Sequence, residues 1–267
     1  MIYFTGENLK RAMWKRSFMF AVMGIAVLEL LDSFPDMVDG WMMTGGNLRK
    51  SENVVHLFQI SGGNTLYNLL AITVCMIPFV SCFCEDKENK LLTEVVTRSS
   101  AGRYAASTMF TCGISSFLCM VAGELIYLAL VLVLYPVADS YGYVDTWSSL
   151  VDGHYYIYLA MRILQRGFRG AFFGMISLMI SSFVSNRYVI LSSPTILYYV
   201  LLYVTTDVAL YFNNRIVDTV RISAVYFTFQ FGLDRELFSL FYTFPYTAAA
   251  GVLMWMLYRM QVKRSLR

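Results

Sequence analysis

Long apolar runs, broken by short charged or Gly/Asn-rich stretches, set the pattern of this chain. Roughly six of them approach the ~20 residues that a helix needs to cross a hydrocarbon core. They lie at about 17–34, 65–83, 105–135, 170–184, 188–212 and 238–257. The ten-residue alternation of a transmembrane barrel does not occur. The pattern predicts an all-α membrane protein, a single transmembrane domain over 1–267 with six transmembrane helices.

The breaks carry further expectations. Over 1–16, Phe4, Leu9, Met13 and Trp14 stand among Lys10, Arg11, Lys15 and Arg16, which suits an interfacial helix in the cytoplasmic headgroup layer. Glu29 and Asp32 interrupt the end of the first apolar run and no small-x-small cleavage site follows, so the run reads as an uncleaved span rather than a signal peptide. Residues 36–64 are polar, with Gly-Gly-Asn at 45–47 and again at 62–64, and read as an outer loop holding some short helix. Pro78 is placed to kink span two. Span three is longer than a bilayer requires, so it either projects beyond the membrane or breaks near Gly123. Ahead of 170–184, the segment from Tyr155 reads as an outer interfacial helix leading into span four. The apolar-aromatic stretch at 224–232 reads as an outer re-entrant segment before the last span.

Charge orients the layout. Lys10, Arg11, Lys15, Arg16, Lys87, Lys90, Arg98, Arg103, Arg187, Arg259, Lys263, Arg264 and Arg267 fall on one side of this topology, and they are the majority of the 21 basic residues. The bias places both termini in the cytoplasm of a multi-pass protein of the cell membrane. Composition agrees: 57% hydrophobic against 15% charged residues leaves too little polar surface to cover a water-soluble core. A net charge of +3, dispersed around the spans, implies no nucleic-acid partner. Cys75, Cys82, Cys84, Cys112 and Cys119 all lie in or at the edge of spans two and three and read as buried thiols. Cys82 and Cys84 have no nearby histidine, so no metal site is expected.

Catalytic chemistry is sparse. The segment 45–51, GGNLRKS, lacks the spacing of a phosphate loop and follows no strand. His56 and His154 fall in outer loops and read as surface residues. No catalytic residue is expected. The intramembrane charges are more informative. Glu29, Glu124 and Asp207 lie in the outer half of spans one, three and five, where an unpartnered acid costs about 2.5–3.5 kcal/mol on insertion scales. Arg162, Arg166 and Arg169 share one helix face at i, i+4, i+7. Three acids and three arginines can neutralise one another, either as salt bridges fastening the outer helix ends or as the lining of an outer vestibule.

The stretch 85–104, EDKENKLLTEVVTRSSAGRY, lies between spans two and three. Leu91, Leu92, Val95 and Val96 fall on one arc of a helical wheel, with Lys90, Thr93, Glu94 and Thr97 on the other. It is either a solvated connector or a docking knob for a soluble partner. Glu85 and Glu88 at its start, with Thr97-Arg98-Ser99-Ser100 and Arg103-Tyr104 at its exit, resemble the first cytoplasmic loop of the permease subunits of ATP-binding cassette exporters of the type-2 class, also described as the type V fold. Asn89-Lys90 stands where that family usually has Gly-Thr, and the common proline near the exit is missing. The resemblance extends in layout over nearly the whole chain. It implies that 85–104 is a cytoplasmic coupling helix seated in a separate ATPase subunit, with Glu85, Glu88, Leu91, Leu92, Glu94, Val95, Arg98 and Arg103 at that interface. It also implies a dimer of permeases, identical or different, with ATP and Mg bound by the partner ATPase and no cofactor in this chain. The expected cargo is an amphipathic or hydrophobic peptide or drug. Two other readings stay open: an ion-coupled secondary carrier using Glu124 or Asp207, and a peptide-binding immunity or sensor protein.

Overall fold

Where a long apolar run must satisfy its own backbone amides, helix is the economical solution. The computed structural model describes residues 2–46, 53–60, 65–88, 101–137, 155–181, 183–184, 186–203, 247–249 and 251–260. Its helices are α1 (Ile2–Met13), α2 (Arg16–Met43), α3 (Val54–Ile60), α4 (Thr65–Glu88), α5 (Ala101–Leu134), α6 (Tyr155–Ser181) and α7 (Arg187–Tyr203). Residues 251–260 are helical as well, and no strand occurs among the described residues. The fold is all-α.

Two helices, Arg16–Met43 and the stretch 102–134, are long and apolar enough to cross a membrane. Shorter apolar helix covers 67–80 and 188–200. On α2 the buried positions Phe18, Ala21, Val22, Ile25, Ala26, Glu29, Ser33 and Met37 form one helical seam. The opposite face is apolar too: Met19, Phe20, Met23, Val27, Leu31 and Phe34 are all exposed. Phe110, Leu125, Leu130 and Val133 of α5 repeat this, as do Ile196, Tyr199 and Val200 of α7. Large apolar side chains point outward from several helices, an arrangement that water does not favour.

Neighbouring helices run antiparallel, as paired contacts show. Tyr67 of α4 meets Glu124 of α5. Further along, the Sγ of Cys75 and the Cβ of Met120 flank Gly170 of α6. Ser177 Oγ of α6 donates to Ile190 O of α7 at 3.0 Å, and Phe173 of α6 packs edge-on to Tyr198 of α7. The most extensive contact is between α5 and α6. It depends on Gly167, Gly170 and Gly174, where an added Cβ would come within 2.7 Å of Val121, 3.3 Å of Met120 and 2.5 Å of Ser116. Small residues three and four apart on one helix face let two backbones approach in this way. The close approach brings Cys112 Sγ within 3.1 Å of Gly174 O.

Two cores fill the bundle. The larger gathers α1, α2, α4, α5, α6, α7 and residues 254 and 258 around Ile25, Ile72, Met76, Met120 and Phe173. The smaller unites Met37, Leu57, Phe58, Tyr127, Val131 and Leu159 beneath α3. Cys75, Cys112 and Cys119 are free and buried, as expected.

Several boundaries differ from the sequence expectation. First, α2 does not stop near Phe34 but continues through Pro35 to Met43. Its stop is the glycine pair: Gly45 (φ 65°) and Gly46 (φ 93°) take left-handed backbone, while Thr44 N donates to Gly40 O at 3.2 Å. Second, α5 is unbroken at Gly123. That glycine is a contact point, since a Cβ there would lie 2.6 Å from Ile25 Cγ2 and 3.1 Å from Val22 O. Third, Tyr155–Ser181 is one continuous helix, so there is no separate interfacial helix ahead of a span at 170–184. Its arginines face inward, which removes the reason to lay that segment on a surface. Two expected helices are present: α1 forms within 1–16, and α3 is a short helix within 36–64. The re-entrant stretch 224–232 and residues 204–212 of the fifth apolar run lie outside the described residues.

Candidate functional site: a buried ionic cluster

The centre of the site is Arg166, brought inward because α6 carries it on the face packed against α5. Its side chain is buried beside two acids with no exposure at all, Glu29 from α2 and Glu124 from α5. One guanidinium nitrogen, Nη1, donates to Glu29 Oε1 and also to Glu124 Oε2, the latter at 2.6 Å. The other, Nη2, donates to the backbone carbonyl of Phe58 at 3.1 Å. Tyr67 of α4 donates its hydroxyl to Glu124 Oε1. The aromatic rings of Phe58 and Tyr67 lie 5.6 and 5.5 Å from the guanidinium carbon, within cation–π range. A single arginine therefore ties together α2, α3, α4, α5 and α6.

Each link has a local origin. Glu29 falls on the buried seam of α2 one turn past Ile25, and the neighbouring Ser33 turns its hydroxyl back onto Glu29 O at 3.0 Å. Glu124 follows Gly123, whose lack of a side chain lets α2 approach closely enough for the two acids to reach one cation. Above them, α3 is held by its backbone: Val54 N donates to Pro136 O at 2.9 Å and Val55 N to Val137 O at 3.4 Å. Asn53 Oδ1 accepts from His56 N at 2.7 Å and caps the helix start. Phe58 is thereby fixed over the cluster, stacked obliquely on Tyr127.

Of the six intramembrane charges marked in the sequence, the structure brings together Glu29, Glu124 and Arg166. Arg162 and Arg169 are buried on the same helix, but Arg169 forms no salt bridge among the described residues, where its Nε and Nη2 lack hydrogen-bond partners. Asp207 lies outside the described residues. Tyr67 and the Phe58 carbonyl were not marked. A buried tyrosine hydroxyl needs a partner, so Tyr67 carried a signal, but one that names no mate. A carbonyl carries none.

The second candidate region, 85–104, is described only at its ends. Glu85 and Glu88 fall in the final turn of α4, and Arg103 is exposed in the first turn of α5. Leu91, Leu92, Glu94, Val95 and Arg98 lie outside the described residues. His56 sits on α3, and His154 lies outside the described residues. No group of three or more potential metal ligands occurs among the described residues.

What the ionic cluster can do is limited by its closure. Both oxygens of Glu124 are engaged, and Arg166 is enclosed by α3 from above. It is built as a clasp rather than as the wall of an open vestibule. Comparisons of the chain with protein families, curated proteins and solved structures found no match.

Proposed function

We propose that this chain is the transmembrane permease subunit of an ATP-binding cassette exporter, a multi-pass protein of the cell membrane with six spans and both termini in the cytoplasm. A separate ATPase subunit hydrolyses ATP with Mg and drives it, and a second permease completes the translocation path. The cargo is an amphipathic or hydrophobic peptide or drug.

The observation that carries the proposal is the mounting of 85–104, taken with the two-faced pattern of its sequence. Helix α4 runs beyond its apolar section to Glu88, and α5 begins by Ala101, so the charged stretch joins two packed antiparallel helices at one end of the bundle. That end also receives the basic residues Arg16, Arg187 and Arg259 at the termini of their helices. A push on the connector is passed directly to α4 and α5, and from them through the Arg166 clasp to α2, α3 and α6. The outward apolar faces of α2, α5 and α7 support the membrane setting. The hydrogen bonds to both Glu124 oxygens fit a fastening role for that carboxylate.

The test is co-purification. Affinity-tagged chain extracted from its native membranes in mild detergent is expected to bring down an ATPase that has a phosphate loop. Recovery of the chain alone, under conditions that retain its own dimer, overturns the proposal.

A further inference from the structure

Apart from the ionic cluster, the bundle has a lateral cavity of about 460 Å³ between α5, α6 and helical residues 247–249 and 251–260. Phe110, Phe117, Phe168, Met175, Val252 and Trp255 form its walls, with Gly113, Gly251 and three alanines on its floor. Nearly all of its lining is apolar. On α5 it extends from Ala106 to Phe117, about 16 Å at 1.5 Å per residue, or roughly half of a ~30 Å hydrocarbon core. It therefore has the depth of one leaflet.

Its end is not apolar. Trp255, which closes the cavity at the Ala106 level, donates its indole N–H to Gly102 O at 3.3 Å. The guanidinium of Arg259 lies 5.6 Å from the Trp255 ring, one turn farther along the helix. The Arg259 side chain also packs over Gly102, where an added Cβ would meet Nε at 3.2 Å. Arg259 is exposed and forms no salt bridge among the described residues. A leaflet-deep apolar groove thus ends in an aromatic residue at interfacial depth and an exposed cation one turn beyond. Aromatic belts sit at that depth, and arginine there faces lipid headgroups.

We propose that this groove is a binding site for an anionic phospholipid, with an acyl chain along Phe110, Phe117 and Met175 and the headgroup phosphate on Arg259. The proposal rests on the membrane-spanning reading and goes beyond it, since general solvation by a bilayer requires neither a groove nor a choice of headgroup. Net charge selects the occupant: a zwitterionic lipid also offers Arg259 a phosphate but carries its own cation beside it, whereas an anionic lipid brings negative charge with no cation of its own.

The test uses Trp255 as its own probe. Full-length chain carrying Trp14→Phe, Trp41→Phe and Trp147→Phe is placed in phosphatidylcholine nanodiscs, with the acyl chains brominated on either a minor phosphatidylglycerol component or an equal fraction of the phosphatidylcholine. Brominated phosphatidylglycerol is expected to quench Trp255 at about fivefold lower mole fraction, the factor that one cation facing an anionic surface supplies. Arg259→Gln is expected to abolish that preference and Arg259→Lys to keep it. Ala248→Phe, which fills the groove from an exposed position, is expected to reduce quenching by both lipids. Equal quenching by the two lipids overturns the proposal in favour of ordinary boundary lipid. Absence of quenching by either also overturns it, showing that a second copy or another part of the chain covers the groove. Release of the chain from native membranes by carbonate without detergent would instead remove the membrane-spanning reading on which the proposal stands.

Discussion

Arg166 shows how one residue can decide the packing of five helices. Two carboxylates and a carbonyl accept from its guanidinium and a tyrosine hydroxyl donates to one of the acids, so the positive charge taken out of water is met within a few ångströms. Removing one partner of such a group leaves the remaining charges buried and uncompensated. Arg166→Ala is therefore expected to cost about 3–5 kcal/mol, seen as a lower melting temperature in detergent and as failure to assemble. Normal assembly with altered cargo preference would mean that the arginine lines a pathway instead. Gly123 makes a second prediction at this scale. Gly123→Val forces atoms into Ile25 and the Val22 carbonyl, an overpacking worth about 1–3 kcal/mol, and Ile25→Ala in the same chain should recover part of the loss. Fluorescence-detected size exclusion after heating reads both. The sequence made Glu29, Glu124 and the arginine face legible, because charge inside an apolar run is rare and needs partners. It could not say which arginine would be chosen, since all three share a face and only the approach of α2 at Gly123 decides.

At the scale of elements, helix type was legible wherever apolar runs were long, and boundaries were less so. The unbroken apolar run ends near Phe34, yet α2 continues past Pro35, Asp36 and Asp39 with Met37 still on its buried seam, until Gly45 and Gly46 supply left-handed backbone. The glycine pair was visible as a break in the pattern, but its role as a helix stop was not. The Arg162–Arg169 segment was misplaced for a different reason. Three arginines in one run suggest a surface, and the acids that hold Arg166 inward stand on other helices, more than forty residues away in sequence for the nearer of the two. Antiparallel packing of α4 against α7 is fixed by the Thr73 and Thr195 hydroxyls, 2.5 Å apart. In a chain with its native cysteines replaced, Thr73→Cys with Thr195→Cys is expected to form a disulfide on mild oxidation, visible as a mobility shift on non-reducing gels. A free pair after oxidation would mean that α7 has a different register on α4.

For the whole molecule, the consistent features are helices apolar on both faces, an ionic clasp near one end and a charged connector at the other. The clasp links α2, α3, α4, α5 and α6, and in the proposed function the connector is where the ATPase pushes. The all-α class and the two long apolar helices were legible because long apolar runs are written in composition. The partner was not, because Leu91, Leu92, Val95 and Val96 imply only that an apolar face wants covering. The most direct measurement of the central claim is ATPase activity of the purified permease–ATPase complex carrying Leu92→Asp. An aspartate on the apolar face of 85–104 is expected to weaken the complex and to lower permease-stimulated ATP hydrolysis by at least about tenfold, the equivalent of ~1.4 kcal/mol. Complex formation and activity equal to the unmodified chain would contradict the account.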